Sequence, residues 1–397
     1  MLIYLKIRWS ILSIMKRFCL FLYLICLTGH LHSAEEADAL HQSRLEELGR
    51  ALFFDVNLSR DRKLSCASCH DPGRAFIDWR GSPAGLAASV GNDAVSLGDR
   101  STPTLSYAAF IPQFHINTEG QYVGGMFWDG REPDLEGQAG GPFLNPIEMQ
   151  MPDKAAVVSR IQEHDTLPYM FMETFGEDVF DDIDTAYLRM TQAIAAAERT
   201  VFFSPFDSKY DRYLQGTYEP SEEELLGMTL FFSEQFTNCN QCHQLNRFAE
   251  SERETFSNYQ YFNVATPVNK VLREANGLGV AHVDKGLLEN PAVDDPAQAG
   301  KFKTPTLRNV AMTAPYMHNG VFENLKTVVQ FYNKFNLRGP ASAVDPDTGE
   351  PWGEPEVPEN IDLEKLEFGD ALDEREIDAL VAFMKMLTDL RYEHLVK

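Results

Sequence analysis

A mainly α-helical protein, built from two tandem modules joined by long irregular loops, is the fold this sequence predicts. Three observations carry that reading. Apolar residues recur at helical spacing in stretch after stretch, whereas no alternating apolar run is long enough for a sizeable sheet. Gly49-x-x-Leu52-Phe53-Phe54 returns as Gly227-x-x-Leu230-Phe231-Phe232, and Thr102-Pro103-Thr104-Leu105 returns as Thr304-Pro305-Thr306-Leu307. Repeats in the same order in each half mark two related units. At 397 residues with 44% hydrophobic and 11% aromatic content, the chain can also bury more than one core.

Residues 1–34 read as a secretory signal. Lys6, Arg8, Lys16 and Arg17 precede an apolar run from Phe18 to Leu27, Ser33 and Ala34 suit cleavage, and Met15 suits initiation. The run is short for a membrane span, so a retained anchor is the alternative and no stable membrane insertion is expected. An N-terminal module over 35–215 and a C-terminal module over 216–397 follow. In the first, Ala39 to Phe54 forms a helix with Leu45, Leu48 and Leu52 on one face. Gly81 to Ser101 is rich in Gly, Ala and Ser and reads as a surface loop. Lys154 to Glu163 and Thr185 to Phe202 are further helices. Ser221 and Glu224 make a capping box that opens the second module. Asn324 to Lys334 is a short helix with Leu325, Val328, Val329 and Tyr332 inward. Arg338 to Asp362, loaded with Pro, Gly and acids, is a long loop. Asp373 and Glu376 cap a last helix whose Ile377, Leu380, Val381, Met384 and Leu387 need a core, which makes it a candidate to pack back on the N-terminal module.

The chemistry is carried by Cys66-Ala67-Ser68-Cys69-His70 and by its twin Cys239-Asn240-Gln241-Cys242-His243. Two thiols at i and i+3 followed at once by His are the attachment signature of a c-type haem, with the imidazole as axial iron ligand. A zinc half-site or a redox dithiol requires no adjacent His, and neither explains two complete copies. The modules are therefore read as cytochrome c-like domains carrying two covalently bound haem c groups. Cys19 and Cys26 lie in the signal, so the haem motifs use all four remaining thiols and no disulfide is expected. Export and haem attachment agree with a periplasmic location.

Net charge is −24, and removal of residues 1–34, with four basic and no acidic groups, takes it to −28. Nucleic acid is excluded as a partner on that ground. A protein partner steered by charge would be basic.

Several motifs in one order resemble the bacterial di-haem cytochrome c peroxidases and their MauG-type relatives. They are the two haem motifs, Trp128-Asp129-Gly130-Arg131, Asn145-Pro146-Ile147-Glu148-Met149, Thr304-Pro305-Thr306-Leu307-Arg308-Asn309 and Ala314-Pro315-Tyr316-Met317-His318-Asn319-Gly320. The resemblance implies that His70 ligates the peroxidatic haem, with Glu148 and Gln138 over its open side. A carboxylate there can move a proton from the near to the far oxygen of peroxide; a solvated or helix-capping glutamate is the bland alternative. Trp128 resembles the family tryptophan between the haems, against a plain core residue. The family's calcium site would fall on carbonyls of Thr313 and Pro315, with Ser101 where the family has asparagine.

Two departures set this chain apart from the classical peroxidases, and a third sets it apart from MauG itself. Where they place a methionine opposite His243, this chain has Tyr332, as MauG-type enzymes do; a buried aromatic at Tyr332 with Met317 or Met312 as the ligand is the competing reading. A phenolate favours ferric or higher iron, whereas a thioether raises the potential. No histidine lies between His70 and His115, so the first haem is expected open at rest. Just upstream of the second motif, where MauG-type oxidation of a docked protein involves a surface tryptophan, stands Phe236-Thr237-Asn238.

The function expected is reduction of hydrogen peroxide, with electrons from a small donor cytochrome or cupredoxin arriving through the second haem. The alternatives are a MauG-like enzyme that uses peroxide to oxidise or mature a protein substrate, and a non-catalytic electron-transfer cytochrome. A homodimer is among the assembly states open to it.

Overall fold

The computed structural model describes residues 36–246, 251–337 and 343–396. The expected signal and part of the acidic loop lie outside the described residues. The first half contains α1 (36–54), α2 (Cys66–Cys69), α3 (Leu135–Leu144), α4 (Lys154–Gln162), α5 (Leu167–Phe175), α6 (Ile183–Glu198) and α7 (Lys209–Leu214). The second contains α8 (Glu222–Phe231), α9 (Lys270–Ala275), α10 (Leu325–Asn333), α11 (Leu363–Leu366) and α12 (Glu374–Met386). Strands among the described residues are two residues long. β1 (His115–Ile116) pairs antiparallel with β2 (Tyr122–Val123), and β3 (Tyr261–Phe262) with β4 (Phe302–Lys303). The protein is mainly helical, as its periodicity predicts.

Caps fix where most helices begin. Asp153 and Asp182 accept hydrogen bonds from Ala156 N and Thr185 N at α4 and α6, and the Ser221/Glu224 and Asp373/Glu376 boxes open α8 and α12. The helix expected over Thr185 to Phe202 stops at Glu198. Thr200 Oγ1 takes the Ala197 carbonyl at 2.7 Å, and Phe202 and Phe203 turn away to stack on Phe76. α3 has no counterpart in the sequence reading, because Gly140, Gly141 and Pro142 look like a break. Packing supplies what propensity lacks: Tyr187 of α6 donates to the Gly140 carbonyl at 2.5 Å, and a side chain at Gly140 would press on its ring.

Two cores form, one per half. Leu48 and Leu52 of α1 bury against Val157, Val158 and Ile161 of α4 and Met190 and Ile194 of α6. Met228, Leu230 and Phe231 of α8 bury against Leu380, Phe383 and Met384 of α12. α12 thus covers α8 and also packs on Tyr210 of α7, and beyond it the 3-10 segment Leu390–Leu395 reaches the first half too, where Tyr392 donates to Pro72 O at 2.6 Å.

The stretch expected as a surface loop, Gly81 to Ser101, is instead folded in. Ala84, Ala87, Ala88 and Leu97 pack with Leu272 of α9, and a side chain at Gly91 would meet the Ile147 carbonyl oxygen at 2.4 Å. Small residues here serve close backbone approach, which composition alone reads as solvent exposure.

The repeated glycines have a shared cause. A Cβ at Gly49 would lie 1.8 Å from Ala193 O, and one at Gly227 would lie 1.8 Å from Ala379 O. Gly227→Ala is expected to destabilise the holoprotein by about 1–3 kcal/mol in denaturant titration, the usual cost of overpacking. Gly81→Ala, with nothing within 4 Å, should leave the midpoint unmoved.

Candidate active site

A cavity of about 460 Å3 runs along both Cys-x-x-Cys-His motifs and is walled largely by apolar side chains. Its two ends are built alike. His70 Nδ1 lies 3.0 Å from the Phe76 carbonyl, and His243 Nδ1 lies 3.1 Å from the Phe256 carbonyl. Phe76 and Phe256 both have left-handed backbone, with φ of 57° and 54°. Thr104 Oγ1 holds the Ala75 carbonyl and Thr306 Oγ1 the Thr255 carbonyl, each at 2.6 Å. The repeated Thr-Pro-Thr-Leu therefore secures the turn that orients each imidazole. Burial lowers both imidazole pKa values, that of His243 to about 4, against the pull of the Phe76 and Phe256 carbonyls. Each ring is neutral at physiological pH, with Nδ1 engaged and Nε2 available as a metal ligand.

The four motif thiols line the same space unpaired, and Arg80 reaches Cys69 Sγ at 3.0 Å. Two pairs of thiols, two oriented imidazoles and an apolar space between them fit two covalently attached haems.

Gln138, from α3, and Glu148, from the turn that follows it, line the same cavity, and Glu148 acts electrostatically on Cys66 and Cys69 of the first motif. Asn145 caps α3 and builds this turn: its amide donates to Glu148 Oε1 at 2.7 Å, and its Oδ1 accepts from Ile147 N at 3.1 Å. The Gly81 to Ser101 stretch clamps the same turn, with Asn92 N donating to the Glu148 carbonyl at 2.8 Å. Burial raises the Glu148 pKa, opposed by Arg131 and the Asn145 bond and reinforced by Asp99. Besides His70 and His243, the histidine lining the cavity is His318, stacked on Phe302 at 3.5 Å and facing Glu356.

Trp128 lines the cavity and donates its indole N–H to Ser101 O at 2.8 Å. At the His243 end, Tyr332 faces inward from α10 beside Leu325, Val328 and Val329. Burial raises its phenol pKa, with Cys242 and then Cys239 adding to the effect. Met317 also lines the cavity; Met312 is not among its lining residues. Ser101, Thr313 and Pro315 border it too, and Ser101 N donates to His318 O at 2.6 Å. No cluster of three or more His, Cys, Asp or Glu that could hold a metal ion occurs among the described residues.

Sequence reading missed the buried ions between the halves. Arg100 pairs with Asp284 at 2.6 and 2.7 Å, with Asp129 at 2.6 Å and with Glu289 at 2.9 Å. Arg273 pairs with Glu356 at 2.7 Å. It also missed Lys303, which donates to Gly125 O, and Glu198. The single sequence signal available was the position of Arg100 just before the first Thr-Pro-Thr-Leu.

The family model for di-haem cytochrome c peroxidases matches residues 43–219. The methylamine utilization protein MauG of Paracoccus denitrificans is 50% identical over 374 residues, which cover 94% of this chain and 95% of that protein. The chain belongs to the di-haem cytochrome c peroxidase family. The cytochrome c551 peroxidase of Nitrosomonas europaea is 30% identical across 74% of each chain. The crystal structure of the diheme peroxidase BthA from Burkholderia thailandensis superposes with a TM-score of 0.79 at 32% identity, covering 89% of this chain and 88% of that one. As a member of this family the protein carries two c-type haems, and its cavity has the residues to hold them.

Cys239→Ala with Cys242→Ala should yield protein with one covalent haem instead of two. Intact mass and the haem-to-protein ratio of denatured protein will report it, and two retained haems would contradict the attachment sites.

Proposed function

We propose that this protein is an exported di-haem peroxidase that reduces hydrogen peroxide at the His70 end and draws electrons from a protein donor through the His243 end. What supports this reading is that Glu148, anchored by Asn145, and Gln138 line the same cavity as His70, and that no histidine lies between His70 and His115. When bound, the haems supply the redox chemistry: cleavage of the peroxide O–O bond at one end and storage of oxidising equivalents at the other.

The chain's own residues supply the proton handling. Glu148 takes the proton from one peroxide oxygen and returns it to the other, so the leaving group departs as water. Asn145 holds that carboxyl in place through Oε1, and Gln138 orients the peroxide beside it. Apolar walls exclude bulk water and strengthen these bonds. Trp128 offers an oxidisable indole between the two ends. Tyr332 would supply a ligand to the second haem's iron, and a phenolate there would favour the oxidised state. Carbonyls of Thr313 and Pro315, with Ser101, would hold calcium. No described helix is long and apolar enough to cross a membrane, and with the expected signal this supports a periplasmic protein.

A second reading has specific support. Identity of 50% to a MauG and a tyrosine at position 332 favour an enzyme that spends peroxide on oxidising a partner protein. Phe236-Thr237-Asn238 at the approach to the second motif weighs against an identical partner. Steady-state peroxide consumption with reduced cytochrome c separates the two, since a maturation enzyme turns over poorly with that donor.

Glu148→Gln should slow the reaction of the diferric protein with peroxide by about 10²–10⁴-fold in stopped-flow spectra. Because the ionised carboxylate is the base and burial raises its pKa, the wild-type rate should climb with pH through that raised pKa and level off above it. The variant should lose this limb, and a wild-type rate in Glu148→Gln would remove the assignment. Tyr332→Met should raise the midpoint potential of the second haem in a spectroelectrochemical titration, as thioether ligation does; an unmoved potential and spectrum would exclude Tyr332 as ligand.

A further inference from the structure

Reducing hydrogen peroxide to two waters consumes two protons as well as two electrons, and Glu148 can only hand on protons that reach it. The cavity wall around the His70 end is largely apolar, with Leu64, Leu105 and Ile194 among its residues. Besides Glu148, the half-buried Asp99 and the buried Glu198 bring carboxyls to the cavity lining. Glu198, the last residue of α6, is 2% exposed and lines the cavity, and its Oε2 is buried without a hydrogen-bond partner. A buried carboxylate with an unpartnered oxygen is costly, so the group keeps its proton instead. Burial pushes its pKa up to about 8, with Arg199 opposing and Glu136 reinforcing the rise.

The lining of two spaces places Glu198 on a route. Inward, Glu198 and Glu148 both line the cavity that holds the first motif. Outward, the next residue, Arg199, donates two hydrogen bonds to the Glu136 carboxylate of α3, at 2.7 and 2.9 Å. The Arg199 and Glu136 side chains are 44% and 29% exposed. A cleft of about 260 Å3 opens beside them, lined by His41, Gln42, Glu136, Arg189 and Gln192 among others. α3 carries the same division: Glu136 faces the cleft and Gln138 faces the cavity. The two helices thus form a thin wall with polar groups on both sides and Glu198 within it.

The geometry points to Glu198 as the proton donor that feeds the His70 end of the cavity, recharged from solvent through the Glu136–Arg199 cleft. This rests on the peroxidase reading. Glu198 releases its carboxyl proton to water in the cavity, breaking its O–H bond. Glu148 passes that proton to a peroxide oxygen, where a new O–H bond forms. The Glu198 carboxylate then takes a proton from solvent by way of the cleft. Two such transfers supply the two protons of each turnover, and the protein donor supplies the two electrons. The charged groups facing Glu198 are Arg199, Glu136 and, across Cys66, Glu148. Cys66 itself is neutral once joined to haem.

The test uses the di-haem holoprotein. An infrared difference spectrum of wild type minus Glu198→Gln at neutral pH should contain a protonated carboxyl band. That band should shift on transfer to D2O, and more slowly in Glu136→Gln than in wild type. In Glu198→Gln, kcat for peroxide with reduced cytochrome c should fall by about tenfold or more, with KM unchanged and a larger solvent isotope effect. Glu198→Asp should recover part of the rate. A missing band in wild type, or a wild-type kcat and isotope effect in Glu198→Gln, overturns the proposal. If Glu198→Gln fails to fold, Glu136→Gln carries the test: unchanged exchange and unchanged kcat there overturn the inlet. Should wild type not turn over peroxide at all, the peroxidase reading falls by itself, and the band with its exchange still decides whether Glu198 is a protonated, solvent-fed acid.

Discussion

At Gly49 and Gly227 two helices cross so closely that an added methyl would sit 1.8 Å from a carbonyl oxygen of α6 or α12. That contact sets the height of everything that follows along the chain. Three residues beyond each glycine, Leu52 and Leu230 enter the core, and Phe53 and Phe231 come next at 1% exposure each. Burying such side chains is worth roughly 1.5–3 kcal/mol apiece. Phe231 lies beside Phe256 at 5.9 Å, and the Phe256 carbonyl holds His243. In the first half, Phe53 and Phe76 meet across Phe203, and the Phe76 carbonyl holds His70. A steric fact at one glycine thus reaches the orientation of an imidazole through one or two aromatic contacts.

The halves share this frame and differ in what overhangs it. Near the first motif the chain brings the hydrogen-bonded carboxyl of Glu148 to the cavity. Near the second it brings the phenol of Tyr332, with Leu325, Val328 and Val329 on the same lining. Between them the wall is held by ions rather than by apolar packing. Arg100 is 9% exposed and bonds to three carboxylates, which leaves it no freedom to move without stranding a buried charge. Breaking one such pair is expected to cost about 3–5 kcal/mol, whereas the intact cluster fixes how the halves meet. Arg308 does the same nearer the C-terminus, fully buried against Asp211 at 2.5 and 2.9 Å.

Local signals made much of this legible in the sequence. Cap residues such as Asp373 and Glu376, the apolar face of α10, and adjacent thiol and imidazole ligands need only a few neighbouring residues to declare themselves. The repeats showed that the frame occurs twice. What stayed hidden depends on contacts far apart in the chain. The Gly81 to Ser101 stretch has the composition of an exposed loop, yet Gly91 must be small because Ile147 arrives there. α3 contains Gly140, Gly141 and Pro142, and only Tyr187 explains why those residues suit a helix. Arg100 and Asp284 are 184 positions apart, and no periodicity links them. The site roles of Glu148, Gln138 and Trp128 came from motif resemblance, while their anchoring by Asn145 and Ser101 came from the fold.

Burial does opposite work on the acids and the bases of one cavity, and the function follows from that opposition. Desolvation disfavours the charged form of every group, so it keeps His70 and His243 neutral and ready to bind metal. The same desolvation pushes the Glu198 pKa up to about 8 and raises that of Glu148 as well. What separates the two acids is partners. Glu148 has Asn145 and Arg131 to stabilise its ionised form, so its rise is checked, as a base requires. Glu198 has an unpartnered oxygen and a nearby Glu136, so it rises further and holds its proton, as a donor requires. One low-dielectric space thereby prepares metal ligands, a base and a proton source at the same pH.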